Sequence, residues 1–240
     1  MKTRFLFLTL CIGAALTSFG QDNNKTDKFP DMSRAIGVSF QRFHGLDSRI
    51  AGFPQYKELP KATGVIQLGM FSDKKQFVNQ VNLSAGSSLS GHRDKRSTNL
   101  RYLGAAIDFG YDFIKDERVA LYPLVGIGYQ RYQARFFRDN SGINFNDVVN
   151  SPTLQNNIKS LDLTNGFLNY RLGLGIAAKS VKYQCSIGLQ AMYVRSFNDH
   201  AWRTSQYQTL ANAPEDYLSQ IYAGLVFTCK PFAMFKHGRM

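Results

Sequence analysis

At 240 residues with 44% hydrophobic side chains, the chain can build one large domain or two ordinary ones. Beyond the first twenty residues no apolar run approaches the roughly 18 residues of a membrane-spanning helix, so a helical membrane protein is excluded. The formal charge of +12 favours anionic partners. In an exported chain these are lipid headgroups and phosphorylated glycolipids, with no nucleic acid expected.

Export is read from the first twenty residues. Lys2 and Arg4 form a basic start, Phe5 to Leu16 an apolar run, and Ser18-Phe19-Gly20 supplies small residues before a cut at Gln21. That layout predicts a secretory signal peptide over 1–20. Leu10 stands before Cys11, where a lipoprotein signal needs a small residue. Residues 21–32 are expected on the periplasmic side.

From residue 33 onward the pattern alternates with period 2, which strands produce and helices cannot. Eight segments follow: 33–44, 63–71, 77–89, 99–114, 119–137, 164–179, 182–197 and 217–229. The clearest places Leu168, Tyr170, Leu172, Leu174, Ile176 and Ala178 on one face and Asn169, Arg171, Gly173, Gly175 and Ala177 on the other. Most segments reach the 9–11 residues that a tilted strand needs to cross a bilayer. Short connections around Asp73-Lys74-Lys75, Lys115 to Arg118 and Ser180-Val181 alternate with long ones at 45–62, 90–98, 138–163 and 198–216. All short turns then fall at one end and all long loops at the other, the asymmetry of outer-membrane barrels. The predicted fold is all-β, an eight-stranded antiparallel up-and-down transmembrane β-barrel over 33–229, followed by a basic tail at 230–240.

In such a barrel the apolar parity meets lipid and the polar parity lines the lumen. The second parity holds Gln41, Gln67, Gln80, Asn82, Ser84, Gln184, Gln190 and Gln220, with glycines between them. Asp108, Asp112, Arg171 and Lys179 are expected to form one lumenal charge network that plugs the narrow barrel, because buried charges must pair. Two aromatic girdles are expected: Phe71, Phe77, Phe113, Tyr183 and Phe227 at the short-turn end, and Phe43, Tyr129, Tyr132, Tyr193 and Phe197 at the other. A soluble lipocalin-like carrier is the competing architecture, and it would turn the apolar parity inward.

The signal, the alternating strands and the loop asymmetry together resemble the small outer-membrane barrel group that includes the OmpA barrel and the OmpX/Ail-type proteins. The segment Tyr222-Ala223-Gly224-Leu225-Val226-Phe227 is similar to the terminal-strand signal that barrel-assembly machinery reads, although here Lys230 to Met240 continues past it. The resemblance implies residence in the bacterial outer membrane.

Function is expected at the long-loop end. Arg93, Lys95, Arg96, Arg101, Arg131, Arg135 and Arg138 crowd it, and arginine forks match phosphate geometry, so they are candidate contacts for lipopolysaccharide phosphates. The enzymatic alternative is a lipid A acyl hydrolase or transferase using His92 near Ser87, Ser88 and Ser90, or the Asp199-His200 pair beside Trp202. Neither has a diagnostic spacing, so no catalytic residue is assigned. Asp139-Asn140-Ser141-Gly142 lacks the remaining spacing of a calcium loop, so no metal or cofactor is assigned either. Cys185 and Cys229 fall at the short-turn end of neighbouring strands, where a disulfide is geometrically open to them. The resulting expectation is a non-enzymatic barrel whose loops bind a surface ligand, or which serves as a structural or accessory subunit of a membrane complex. Its partners would be outer-membrane lipid and another outer-membrane or periplasmic protein.

Overall fold

The computed structural model describes residues 30–74, 76–88, 97–114, 116, 118–180, 184–204, 206 and 208–230. The alternating segments form the barrel strands β1 (Asp31–Arg42), β2 (Ala62–Lys74), β3 (Phe77–Ser88), β4 (Ser97–Tyr111), β5 (Val119–Phe137), β6 (Leu161–Ser180) and β7 (Cys185–Ser196). Three two-residue strands follow in the last long loop: β8 (His200–Ala201), β9 (Arg203–Thr204) and β10 (Glu215–Asp216). The eighth barrel strand is β11 (Ser219–Cys229). Sheet order runs β5-β4-β3-β2-β1-β11-β7-β6, and β6 pairs back onto β5, so eight antiparallel strands close into a barrel. The signal region 1–20, most of 21–32 and the tail from 231 lie outside the described residues.

The long connections carry more structure than alternation alone predicts. The first, residues 43–61, contains helix α1 (His44–Ala51). The third, residues 138–160, contains α2 (Phe145–Asn150) and α3 (Pro152–Asn157). These two short helices start on recognisable caps: Asn144 accepts from the Asn146 N–H, and Ser151 accepts from the Leu154 N–H with Pro152 in the first turn. Helix α1 has no such start. Phe43, at its N-cap, makes no side-chain cap, and the helix is held by burying Leu46 and Ile50 on one face.

Apolar side chains cover the outside at mid-height. Leu103 is 68% exposed, Leu83 64% and Leu174 61%, with Ile66, Leu68, Ile127, Leu189 and Ile221 beside them. The opposite parity is buried and polar there: Gln67, Gln80, Asn82, Asp108, Asn169, Arg171 and Gln190. This polarity is the reverse of a lipocalin, and it requires an apolar solvent around the barrel. Glycines on the inner parity make room for the long side chains. The Tyr122 ring lies across Gly175, where any side chain would collide with it.

The inner face is not polar along its full height. Toward the long loops it becomes an apolar core of Phe43, Leu46, Leu100, Tyr132, Ala134, Phe136, Leu163, Phe167, Trp202 and Leu218. This corrects the girdle assignment: Phe43 and Tyr132 belong to the interior, as does Phe71 at the other end. Phe77, Phe113, Phe227, Tyr129 and Phe197 are exposed, while Tyr193 is half-buried and Tyr183 lies outside the described residues.

Candidate functional site

The four lumenal charges fall into two separate groups. At mid-height Arg171 on β6 donates through Nε to Asp108 Oδ1 at 2.7 Å, with both side chains almost fully buried. Asp108 Oδ2 accepts from Asn82, whose Oδ1 accepts from Gln80, whose Oε1 accepts from Gln190. A continuous polar chain thus crosses the lumen from β6 through β4 and β3 to β7. Near the short-turn mouth Lys179 lies 2.5 Å from Asp73 and 3.4 Å from Asp112. In the sequence Asp73 reads only as a turn residue. Asp112 also accepts from the Ile114 and Leu121 N–H groups, fixing the β4–β5 turn. A single four-charge network does not form: Asp112 is committed to its own turn and to Lys179, and Asp108 to the cross-lumen chain.

The long-loop mouth is covered by a cap made from residues 43–61 and the described residues of 197–218. Its centre is Asp216, a buried carboxylate that sequence reading missed. Asp216 Oδ1 accepts from the Gly45 N–H at 2.6 Å, and Oδ2 accepts from the Leu46 N–H at 2.9 Å and from the Trp202 indole N–H at 2.8 Å. It therefore supplies, from another loop, the negative charge and acceptors that the first turn of α1 requires. Gly45 is needed for this approach, because a side chain there would strike the Glu215 carbonyl and Asp216. Trp202 stands edge-on to Phe43 at 5.3 Å, and Phe43 packs on Tyr132 and Phe167. Asp47 on α1 accepts from the Leu59 N–H, folding the first loop back on itself. Burial pushes the Asp47 carboxyl above the usual carboxylate range; the Leu59 bond opposes the shift, and Glu58 and Asp216 reinforce it.

Of the basic residues, Arg101 on β4 and Arg131 on β5 lie on the outer, exposed face. They are diagonal neighbours, since Arg101 pairs with Gln133 and Arg131 with Leu103. Arg135 is committed to Asp162 through two bonds of 2.8 Å, and Arg138 donates to the Tyr56 hydroxyl while lying over its ring. Arg93, Lys95 and Arg96 lie outside the described residues, as does His92. His200 is exposed, its carbonyl accepts from Asn165 Nδ2 and its ring faces Phe167. No carboxylate–imidazole–hydroxyl set forms around it among the described residues. Nor do three or more His, Cys, Asp or Glu side chains converge there as a metal site. At the short-turn end Cys185 and Cys229 face each other across β7 and β11 and are joined as a disulfide, with Cα atoms 4.1 Å apart.

No protein-family model matches the chain, and no curated protein does. Solved structures similar to it include the attachment invasion locus protein Ail of Yersinia pestis, at 14% identity over 83% of this chain and 99% of that one, TM-score 0.45. A major outer membrane protein of Thermus thermophilus is 11% identical over 82% and 98%, TM-score 0.47. Neisserial surface protein A is 9% identical over 84% and 96%, TM-score 0.46. The likeness is one of architecture. The assignment stands on this chain's own surface, an apolar outer band around a closed polar interior: the protein is an eight-stranded outer-membrane β-barrel.

Proposed function

We propose that the barrel works through its extracellular face as a non-enzymatic surface-binding or structural protein. The long-loop end contacts lipopolysaccharide phosphates and presents a folded cap to a neighbouring protein. The observation that carries this reading is the covering of the mouth by the cap, anchored on Asp216 and packed around Trp202 and Phe43. Among the described residues the lumen is crossed by the Arg171–Asp108 chain and packed above it with aromatic side chains, which favours a role for the outer surface. There Arg101 and Arg131 stand together just above the apolar band, where the phosphates of an outer-leaflet glycolipid lie, and two forked donors fit one phosphate group. Arg135 and Arg138 hold the loop architecture behind them through Asp162 and Tyr56. The reading of the chain as an accessory subunit of a larger complex belongs to the same proposal, with the cap as the contact.

The test is thermal stability of the purified barrel in micelles with and without added lipopolysaccharide. The wild type is expected to gain several degrees, a gain that Arg101→Glu with Arg131→Glu abolishes when each protein is measured against its own unliganded melting temperature. Equal stabilisation of both proteins would remove the phosphate contact from the proposal.

A further inference from the structure

The last strand of the barrel, β11, differs from β2 to β7 in how its register can be set, because no tight turn joins it to either neighbour. Strand pairs β2–β3, β4–β5 and β6–β7 are joined at the periplasmic end by connections of a few residues, and a tight turn dictates which residues face each other. Strands β7 and β11 are joined only by the long segment 197–218, and β11 must also zip onto β1 to close the barrel. A slip of β11 by one residue would turn Gln220 and Tyr222 toward lipid and Ile221 and Leu225 into the lumen. Cys185 and Cys229 lie at the far end of this hairpin from the loop, directly opposite one another. Lys230 N–H donates to the Gln184 carbonyl just beyond them, so the cysteines occupy a narrow pair whose side chains are closest. Both lie on the outer parity at the periplasmic edge.

We propose that the Cys185–Cys229 disulfide sets the register of the terminal hairpin before the barrel closes. It forms in the exported, unclosed chain and carries β7 and β11 to the membrane already aligned. The co-reactant is a disulfide-bearing oxidant. One cysteine thiolate attacks it to give a mixed disulfide, and the second thiolate displaces the remaining sulfur. The two cysteines are oxidised, the oxidant leaves as two thiols, and the two cysteine protons end on those thiols.

The experiment refolds the full chain carrying Cys11→Ser from urea into detergent micelles, with closure followed by heat-modifiable gel mobility. Oxidised glutathione is the oxidant and dithiothreitol the reductant. The pre-oxidised chain is expected to close roughly tenfold faster than the reduced chain or the Cys185→Ser, Cys229→Ser variant. Moving the bridge within the same register, by Cys185→Ser, Cys229→Ser, Ile187→Cys and Phe227→Cys, restores fast closure because Ile187 faces Phe227. Ile187→Cys with Cys185→Ser instead bridges to Cys229, two residues out of register, and once oxidised closes more slowly than the reduced chain. If the serine variant closes as fast as the oxidised chain, or the out-of-register bridge helps as much as the in-register one, the proposal is overturned.

Discussion

Replacing Asp216 by alanine should release the cap while leaving the barrel intact. The carboxylate accepts three hydrogen bonds at 2.6, 2.8 and 2.9 Å from donors within the packed cap. Hydrogen bonds to a charged group contribute about 1.5–3 kcal/mol each, and a buried donor left without an acceptor costs about 1–3 kcal/mol. The three bonds share one group and cannot simply be added, so a loss of about 4 kcal/mol from the cap is the expected scale. None of the three donors belongs to a barrel ladder, so the barrel should not register the loss. The protein contains a single tryptophan, Trp202, fully buried in the cap, and its fluorescence therefore reports the cap alone. In Asp216→Ala the emission should be red-shifted in the absence of urea, with heat-modifiable mobility as in the wild type. Asp216→Asn, which keeps an acceptor but loses the charge, should fall between them. An unshifted emission in Asp216→Ala would refute the account of Asp216 as the centre of the cap. So would a tryptophan transition that moves only together with the barrel.

Three further outcomes are expected. Arg171→Met strands the Asp108 carboxylate and should cost about 3–5 kcal/mol in urea unfolding, whereas adding Asp108→Asn recovers much of it; equal losses in the single and double variants would contradict this. Because burial raises the Asp47 carboxyl, its contribution to cap stability is complete below the ordinary carboxylate range and is lost as pH rises through the raised value. The Trp202 urea midpoint should therefore fall as pH rises from below the ordinary carboxylate range to neutrality, and Asp47→Asn should reduce this dependence and raise the midpoint at neutral pH. Leu189→Lys on the lipid face should cost about 2–4 kcal/mol in a bilayer, and an unchanged stability would argue against membrane burial of that face.

The eight strands were legible because each carries its evidence within itself. A period of two over ten or more residues needs no knowledge of partners, and boundaries such as Val119–Phe137 could be read directly. Helix α1 was not legible for the opposite reason. The residue at its N-cap is Phe43, and the acceptor for its first turn is Asp216, some 170 residues further along the chain. No local signal announces such a helix, although the spacing of Phe43, Leu46 and Ile50 hints at one face. Asp73 was missed because a charged residue beside Lys74 and Lys75 reads as a turn, while its partner Lys179 approaches from β6. Tyr132 was assigned to the wrong surface because aromatic residues near a loop invite a girdle reading, even though strict alternation from Ile127 and Tyr129 places it inside.

That last error points to how the membrane boundary is written into the strands. Along β5 the outer parity runs Val125, Ile127, Tyr129 and then Arg131, Gln133, Arg135, while the inner parity runs Gly126, Gly128, Gln130 and then Tyr132, Ala134, Phe136. Both faces change character at the same place, in opposite senses. Strand β6 changes at the paired height: outward Leu172, Tyr170 and Leu168 give way to Gly166, Thr164 and Asp162, and inward Arg171 and Asn169 give way to Phe167 and Leu163, with Asn165 between them bonded to the His200 carbonyl of the cap. Strand β4 does so between Leu103 and Arg101 outside, and between Asp108 and Leu100 inside. Where lipid surrounds the barrel, the outer face must be apolar and the narrow interior can carry a paired polar chain. Where water surrounds it, burial of apolar area has to come from within. The level at which the two patterns exchange marks the outer surface of the membrane. It lies immediately below Arg101 and Arg131, and the aromatic cap closed by Asp216 lies above it, in water.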